Sequence, residues 1–318
     1  MKKLHYHLVD VFTDRPFGGN QLAVFSDGWG LSPQVMQQLA KEINFSETTF
    51  VLPPQDPGND FWVRIFTPAV EMPIAGHPTV GTAFVLGREK LIDQTGPETM
   101  IHFEEGVGVI PVRVQWQNGQ PGLIRMSQPL PEFGPEFPDR KLIAEMLSLE
   151  PDELDPDFPL QVVSCGLPFL YVPLKNLAAI RRARLRLDLW EKQLKDFASP
   201  HLFLLTAETE LKNSTVHCRM FAPALGIVED PATGAASGPL GCYLVKYDRR
   251  PPTHSTGSGR AADRHKKQMS FISEQGFEMG RPSLIHIEIE QENDQITAVT
   301  VGGQCVFMGE GYFELSES

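Results

Sequence analysis

The chain has 318 residues, of which 41% are hydrophobic and 21% charged, and its formal net charge is -12. This length allows two domains with hydrophobic cores of their own. The acidic balance gives no general electrostatic support for binding nucleic acid or an anionic membrane surface. No apolar run approaches the roughly 20 residues that span a bilayer, and the first residues lack the apolar segment of a signal peptide, so we expect a cytoplasmic protein.

The first part of the chain predicts strands and one capped helix. Residues 4–12 alternate apolar and polar side chains, which is typical of a strand, and Gly19-Asn20 then marks a turn where the backbone could approach a neighbour closely. Ser32-Pro33 predicts a helix that ends near Asn44. Further strands are predicted at residues 21–25, 45–52, 61–66, 99–103, 107–116 and 123–126.

A proline-dense stretch at residues 129–138 marks the predicted boundary between two domains. Beyond it the pattern predicts helices at residues 141–149 and 189–197, and strands at residues 160–174, 202–205, 218–221 and 269–315. Residues 253–260 and the basic cluster from Arg264 to Lys267 are expected to be solvated. The four cysteines are widely separated, which indicates buried apolar positions and neither a zinc pattern nor a disulfide framework: Cys165, Cys218, Cys242 and Cys305.

One motif occurs twice and organises the chain. The first copy contains Gly76-His77-Pro78, and the second contains Asp230-Pro231 followed by Gly234. Each copy predicts a helix start, at His77 and at Asp230, because a polar residue able to cap precedes a proline suited to the first turn. Free N–H groups and the dipole at a helix start bind anions. If both starts faced one cleft, they could hold a substrate carboxylate.

The repeat extends upstream of the motif. Residues 64–70 match residues 219–225 at an offset of 155, and residues 46–52 match residues 199–205 at an offset of 153. Three matches in the same order predict two similar domains.

The repeat fails at one acidic residue. In this alignment Glu47 corresponds to Pro200, so the two halves supply one carboxylate and not a symmetric pair. His77 against Asp230 is a second asymmetry. A racemase with two bases needs a proton acceptor on each face of a carbon, so the chemistry predicted is one-sided proton transfer.

Five motifs together resemble the phenazine-biosynthesis isomerase-like family: Gly19-Asn20, Ser46-Glu47-Thr48, Phe66-Thr67-Pro68-Ala69, Gly76-His77-Pro78-Thr79 and Glu229-Asp230-Pro231-Ala232-Thr233-Gly234. The resemblance covers essentially the whole chain. It implies a diaminopimelate epimerase-like α+β fold with two similar pseudo-symmetric domains, each a β-barrel-like sheet wrapped around a central helix. The implied domains are residues 1–127 with 304–318, and residues 128–303. A homodimer is a further family expectation.

The resemblance also implies roles for residues. Glu47 would be the acid/base, without metal or cofactor. His77 and Asp230 would orient Glu47 or hold the substrate's amino and hydroxyl groups, and backbone N–H groups of the glycines would hold its carboxylate. The implied supporting and substrate-binding residues are Asn20, Ser46, Gly76, His77, Asp230, Thr233, Gly234 and Ala235. Position 235 is often serine in relatives, so the phenazine substrate itself stays open.

We therefore predict a cofactor-independent isomerase that moves a proton on a small carboxylate-bearing substrate, similar to trans-2,3-dihydro-3-hydroxyanthranilate isomerase. Two alternatives stay open on the sequence. One is a non-catalytic metabolite-binding or scaffold protein with the same fold. The other is an amino-acid epimerase, although the cysteine pair of the epimerases is absent from both predicted helix starts.

Overall fold

The computed structural model describes residues 2–247, 254–256 and 266–315. Its helices are α1 (Pro33–Ile43), α2 (Gly76–Arg88), α3 (Arg140–Met146), α4 (Leu177–Arg182), α5 (Leu187–Gln193) and α6 (Gly234–Tyr247). No described helix has the length and apolar character needed to cross a membrane. The solvated loop predicted after residue 252 lies outside the described residues, except for residues 254–256 and Lys266-Lys267, which are in strands.

Nineteen strands accompany these helices in the described part of the chain. The first ten are β1 (Lys2–Val11), β2 (Asn20–Phe25), β3 (Glu47–Leu52), β4 (Phe61–Phe66), β5 (Glu71–Met72), β6 (Glu98–Glu105), β7 (Gly108–Gln117), β8 (Gln120–Gln128), β9 (Glu132–Glu136) and β10 (Gln161–Ser164). The others are β11 (Pro168–Pro173), β12 (Leu202–Thr206), β13 (Val216–Ala222), β14 (Ile227–Asp230), β15 (His254–Thr256), β16 (Lys266–Gln275), β17 (Ser283–Glu292), β18 (Gln295–Gly303) and β19 (Cys305–Leu315).

The chain divides into two compact units, Met1–Ser127 with Gly302–Ser318, and Gln128–Val301. In the first unit, β1 pairs antiparallel with β19 and β2, β2 pairs parallel with β3, and β3 pairs antiparallel with β4. Then β4 pairs antiparallel with β5 and parallel with β6, which pairs antiparallel with β7. The helix α2 packs on this sheet and is buried from residue 76 to residue 87, because small and apolar residues cover every side of it.

The second unit repeats the same series of pairings. The strands β10 and β11 pair antiparallel, β11 and β12 parallel, and β12 and β13 antiparallel. Next, β13 pairs antiparallel with β14 and parallel with β16, and β16 pairs antiparallel with β17. The helix α6 packs on β10, β11 and β17 and is mostly buried. The α+β fold with two similar domains is therefore confirmed.

Local signals predicted several elements closely. The Ser32 hydroxyl accepts a hydrogen bond from the Val35 amide at the start of α1, and Asn44 ends the helix in the left-handed conformation with φ 57°. The strand β9 and the helix α4 are among the elements that escaped prediction. The strand β9 lies inside the proline-dense stretch, and it pairs with β10 at a sheet edge where proline is tolerated. The helix α4 has only 6 residues, too few to show a period.

The expectation that His77 and Asp230 cap the two central helices is wrong. The helix α2 begins at Gly76 with Ala75 before it, so the His77 side chain lies inside the first turn. Asp230 is the last residue of β14, and its Oδ2 accepts a 2.5 Å hydrogen bond from the Thr233 hydroxyl. This contact closes a turn, and the Thr233 carbonyl then accepts the first helical hydrogen bonds, from the amides of Ala236 and Ser237.

Paired arginines show how the two halves correspond. Arg64 donates two hydrogen bonds to Glu71, and Arg219 donates two to Glu229 in the same way. The arginines are 155 residues apart, whereas the glutamates and the first residues of α2 and α6 are 158 apart. The second half therefore holds three extra residues before its helix, so the two motif copies do not occupy equivalent positions.

Strand register also corrects the residue opposite Glu47 in the alignment. Thr48 pairs with Phe66 across β3 and β4, and Leu202 pairs with Phe221 across β12 and β13. Glu47, one residue before Thr48, thus corresponds to His201 and not to Pro200. The conclusion drawn from the repeat survives, because His201 is not a carboxylate either.

At Gly19 the turn after β1 lies against the backbone of Val11. We therefore expect Gly19→Ala to lower the free energy of unfolding. Its φ is +60°, and a Cβ would lie 2.1 Å from the Val11 carbonyl oxygen. The left-handed conformation costs about 1–2 kcal/mol for alanine, and the clash adds about 1–3 kcal/mol. Gly119→Ala is the control, because Gly119 has φ +75° and nothing within 4 Å. Equal losses in the free energy of unfolding by urea denaturation would show that the close approach does not matter.

Candidate active site

Glu47 is a buried carboxylate at the first position of β3. Only 7% of the residue is exposed, because β3 pairs with β2 on one side and β4 on the other. A solvated surface position is therefore excluded. Its Oε2 lies 3.3 Å from Nε2 of His77, the second residue of α2, so the start of the central helix and the start of β3 converge.

His77 is held as a neutral side chain. Burial lowers its pKa to about 3, and a hydrogen bond with the backbone of Gln21 opposes this only in part. The Asn20 amide nitrogen lies 3.1 Å from His77 Nδ1. The other ring nitrogen, Nε2, is the one that faces Glu47. The result is a chain from Asn20 through His77 to Glu47.

The three residues are positioned by three separate elements of the first unit. Asn20 is the first residue of β2, directly after the Gly19 turn. Gly76 opens α2 and is buried, and Ser46, which precedes Glu47, is half-buried. The structure thus brings together Asn20, His77 and Glu47, with Ser46 and Gly76 adjacent in the chain. Glu47 and His77 alone offer one carboxylate and one imidazole, fewer than the three protein ligands of a catalytic zinc site.

The remaining predicted residues form a second group, in the second unit. Asp230 and Thr233 are buried and joined by their hydrogen bond, Gly234 opens α6, and Ala235 follows it half-buried. Sequence reasoning missed Gln275, which fixes this group. Its amide nitrogen donates to the Asp230 carbonyl at 2.6 Å and to the Thr233 hydroxyl at 3.0 Å, and its amide oxygen accepts from the Thr233 amide at 3.1 Å.

A signal for Gln275 was present in the sequence. Ser273, Glu274 and Gln275 form a polar run at the end of a strand, directly before Gly276. All three are fully buried, and Gly276 has φ 78°. A polar run that ends a strand at a glycine is usually taken as solvent-exposed turn chemistry, and only the tertiary contacts show otherwise.

Glu105 is a second buried carboxyl group in the first unit, and it too was missed. Burial raises its pKa to about 8, although a hydrogen bond with Thr79 acts in the other direction. The Thr79 hydroxyl lies 2.7 Å from the Ala75 carbonyl and donates to Glu105 Oε1 at 2.5 Å. With a pKa of about 8, Glu105 is mostly protonated at neutral pH. Glu105 is therefore a neutral group that braces the start of α2.

Solved structures place this architecture in a known class. A hydroxyproline epimerase from Agrobacterium vitis superposes with a TM-score of 0.63 over 98% of this chain and 92% of its own, at 11% identity. At that identity the likeness concerns the fold alone. The chain therefore has the epimerase-like α+β fold.

The chain belongs to the phenazine biosynthesis-like protein family, whose model matches residues 9–311. A trans-2,3-dihydro-3-hydroxyanthranilate isomerase from Pseudomonas chlororaphis is 34% identical over 307 residues, covering 96% of this chain and 98% of that protein. A PhzF-family phenazine biosynthesis protein from Bacillus anthracis superposes with a TM-score of 0.86 at 27% identity, covering 99% of this chain and 100% of its own. These matches identify the chain as an isomerase.

Proposed function

We propose that this isomerase moves a proton within a small carboxylate-bearing substrate, with Glu47 as the general acid/base and without a metal or cofactor. The observation that carries the proposal is the burial of Glu47 beside a neutral His77 that is itself anchored by Asn20. Burial withdraws water from the carboxylate, and a neutral imidazole packs beside it at 3.3 Å. Both conditions favour proton transfer to and from carbon or oxygen on a bound substrate.

The proposed step conserves all atoms. The Glu47 carboxylate removes a proton from a carbon next to an unsaturated system, and the electron pair of that C–H bond shifts into the system. Protonated Glu47 then returns the proton at another position of the same molecule. His77 stays neutral beside the carboxylate throughout, because its low pKa makes the imidazolium unfavourable.

The substrate class follows from the named relatives, which act on trans-2,3-dihydro-3-hydroxyanthranilate. We propose this compound or a related cyclic amino acid as the substrate. Substrate contacts from Asn20, Ser46, Gly76, Asp230, Thr233, Gly234 and Ala235 stay predictions that rest on the resemblance. Ala235 offers a backbone N–H and no hydroxyl, which favours a substrate with one polar group fewer than those of relatives with serine.

The alternatives have less support. An epimerase needs a second acid/base, and the residue equivalent to Glu47 in the second half is His201, whose pKa burial lowers to about 4. The first two residues of both central helices are Gly76-His77 and Gly234-Ala235, and neither pair offers the thiol of the cysteine-dependent epimerases. A non-catalytic binding protein would not need a buried carboxylate held by a neutral imidazole.

Turnover in deuterium oxide tests the proposal. We expect the EDTA-treated enzyme to convert trans-2,3-dihydro-3-hydroxyanthranilate or a close analogue, and NMR to show the newly protonated carbon carrying the transferred hydrogen, or deuterium to the extent that protonated Glu47 exchanges with the solvent. Saturable binding without conversion or exchange across a panel of such amino acids would establish the binding protein instead. Exchange at an α-carbon with loss of optical rotation would establish the epimerase.

A further inference from the structure

A cluster of histidines and carboxylates lies on the first and last strands of the first unit, and the proposed reaction makes no use of it. His5 and His7 are two residues apart on β1, so their side chains share one face of the strand. Glu310 pairs directly with His7 across β1 and β19. Glu89, the residue that follows α2, reaches the same place.

The ligand atoms of this cluster are close enough for one metal ion. Glu310 Oε2 lies 3.4 Å from His5 Nε2 and 3.8 Å from His7 Nδ1. The ligand atoms of His5, His7 and Glu310 all lie within 4.8 Å of one another, and Glu89 Oε1 is 3.9 Å from His7 Nδ1. Zinc bonds of about 2.0–2.2 Å in a tetrahedron place ligand atoms about 3.3–3.6 Å apart, so small side-chain rotations bring His5, His7 and Glu310 to this geometry.

The histidine nitrogens provide an independent indication of a ligand. His7 has no exposed surface, and neither of its ring nitrogens has a hydrogen-bond partner among the described residues. His5 Nε2 also has none there. A buried imidazole without any partner costs free energy, so such a group calls for one. The ring of Tyr312 stacks on His5 with centroids 4.7 Å apart, which fixes the direction of the His5 ring.

The surrounding charges suit a divalent cation. The carboxylates of Glu89 and Glu310 face His7, with oxygens 3.9 Å and 3.8 Å from its Nδ1. The guanidinium of Arg88 lies over the Phe307 ring at 3.9 Å. A pair of carboxylates beside two imidazoles is a negatively charged set of hard and borderline donors, which suits a divalent cation.

We propose that His5, His7 and Glu310, with Glu89 as the fourth ligand, bind one Zn²⁺ ion. Two imidazoles and two carboxylates are a donor set that zinc accepts in a tetrahedron. The ion joins the first strand, the last strand and the end of the central helix. Its role is structural, since each ligand comes from an element that also has its own strand or helix contacts in the first unit.

Zinc titration of the full chain, freed of metal with EDTA, tests the site. We expect one Zn²⁺ per chain by calorimetry, an increase of Tm with zinc, and visible absorption bands of tetrahedral Co²⁺ when cobalt replaces zinc. His7→Gln and Glu310→Gln should each weaken zinc binding at least tenfold. His102→Gln is the matched control, because His102 is an exposed histidine of the same unit whose Nδ1 lies 3.6 Å from Asp60 Oδ2. The His102→Gln protein should bind zinc as tightly as the unaltered chain.

Two results would overturn the proposal. One is the absence of zinc binding by the unaltered chain, and the other is unchanged zinc affinity in Glu310→Gln. The side chain of Glu310 is 55% exposed, so this variant will fold even if His7→Gln does not. Loss of binding in Glu310→Gln together with normal binding in His102→Gln supports the site.

Discussion

Glu47→Gln should reduce turnover by about 10²–10⁴-fold, the contribution of a general acid/base, while the protein stays folded. Glutamine has the shape of glutamate, and its amide can keep the present 3.3 Å contact with His77 Nε2. The amide cannot take up a proton at any working pH. Steady-state kinetics and thermal unfolding measure the two effects separately, and we expect Tm to change by only a few degrees.

Glu105→Gln is the matched control for this experiment. Glu105 is also a buried carboxyl group of the first unit, but its pKa of about 8 keeps it mostly protonated at neutral pH, and the amide oxygen of a glutamine can accept from the Thr79 hydroxyl in its place. We expect turnover within about threefold of the unaltered enzyme. Retention of full activity by Glu47→Gln would remove Glu47 from the mechanism and leave the assignment of the acid/base without support.

His217→Leu should lower the free energy of unfolding by about 3–5 kcal/mol, the usual cost of removing one partner from a buried ion pair. His217 Nδ1 is 2.8 Å from Glu274 Oε1 and Nε2 is 3.0 Å from Glu278 Oε1. His217 and Glu274 are fully buried, so the variant leaves two carboxylates together in a dry environment. Backbone amides of Glu210 and Leu211 still donate to Glu274, which limits the loss.

The stabilisation by His217 should depend on pH, because the pKa of this histidine is shifted in the folded protein. Burial alone lowers the pKa of His217, but hydrogen bonds and charges of Glu274 and Glu278 outweigh burial and raise it to about 9. The ordinary pKa of histidine is about 6.5. The stabilisation is therefore complete below pH 6.5 and is lost as pH rises through 9. The lowered pKa values of the two glutamates make it disappear in acid as well, below their ordinary value.

Denaturant unfolding from pH 4 to pH 10 checks this profile. The difference between the unaltered chain and His217→Leu should be largest near pH 5–6 and should shrink toward pH 9–10. His201→Leu is the control, because burial lowers the pKa of His201 to about 4 and the residue carries no charge over most of this range. Its difference from the unaltered chain should change below pH 6.5, where His201 takes up a proton in the unfolded chain, and should stay flat from pH 7 to pH 10. A flat profile for His217→Leu would show that no charged pair stabilises the fold.

The elements of this protein were readable from sequence wherever the signal was local. Ser32-Pro33 and Asn44 bounded α1 correctly because capping and left-handed residues act within one turn. The strand at residues 61–66 was also placed correctly, since its β-forming run is bounded by turn residues on both sides. The repeat predicted two similar domains, and the strand pairings confirm it.

The sequence failed where one pattern fits two structures. A polar residue before proline opens a helix, but it also ends a strand at a turn, and Asp230 does the second because Thr233 and Gln275 bond to that turn. The alignment of Glu47 with Pro200 was wrong. An ungapped comparison of the two halves gives an offset of 153 residues, whereas the strand register gives 154 and aligns Glu47 with His201. Both errors needed hydrogen bonds between residues far apart in the chain to correct them.

The candidate site was only partly predictable. Glu47, His77 and Asn20 followed from a family resemblance, yet their mutual contact and the neutral state of His77 depend on burial. Glu105 and Gln275 carry no motif. The histidines of β1 and Glu310 of β19 stand at opposite ends of the chain, so no spacing rule connects them.

The pairing of β1 with β19 also orders events during synthesis of the chain. The second unit is one continuous segment, residues 128–301, and all of it leaves the ribosome before β19 does. The unit that carries Glu47 begins first but lacks the partner strand of β1 until residues 305–315 have emerged. Nascent domains usually fold from the N-terminus onward, but the first unit cannot complete its β1–β19 pairing until the whole second unit has been made. The sheet that carries the proposed acid/base is thus the later of the two to be complete in sequence.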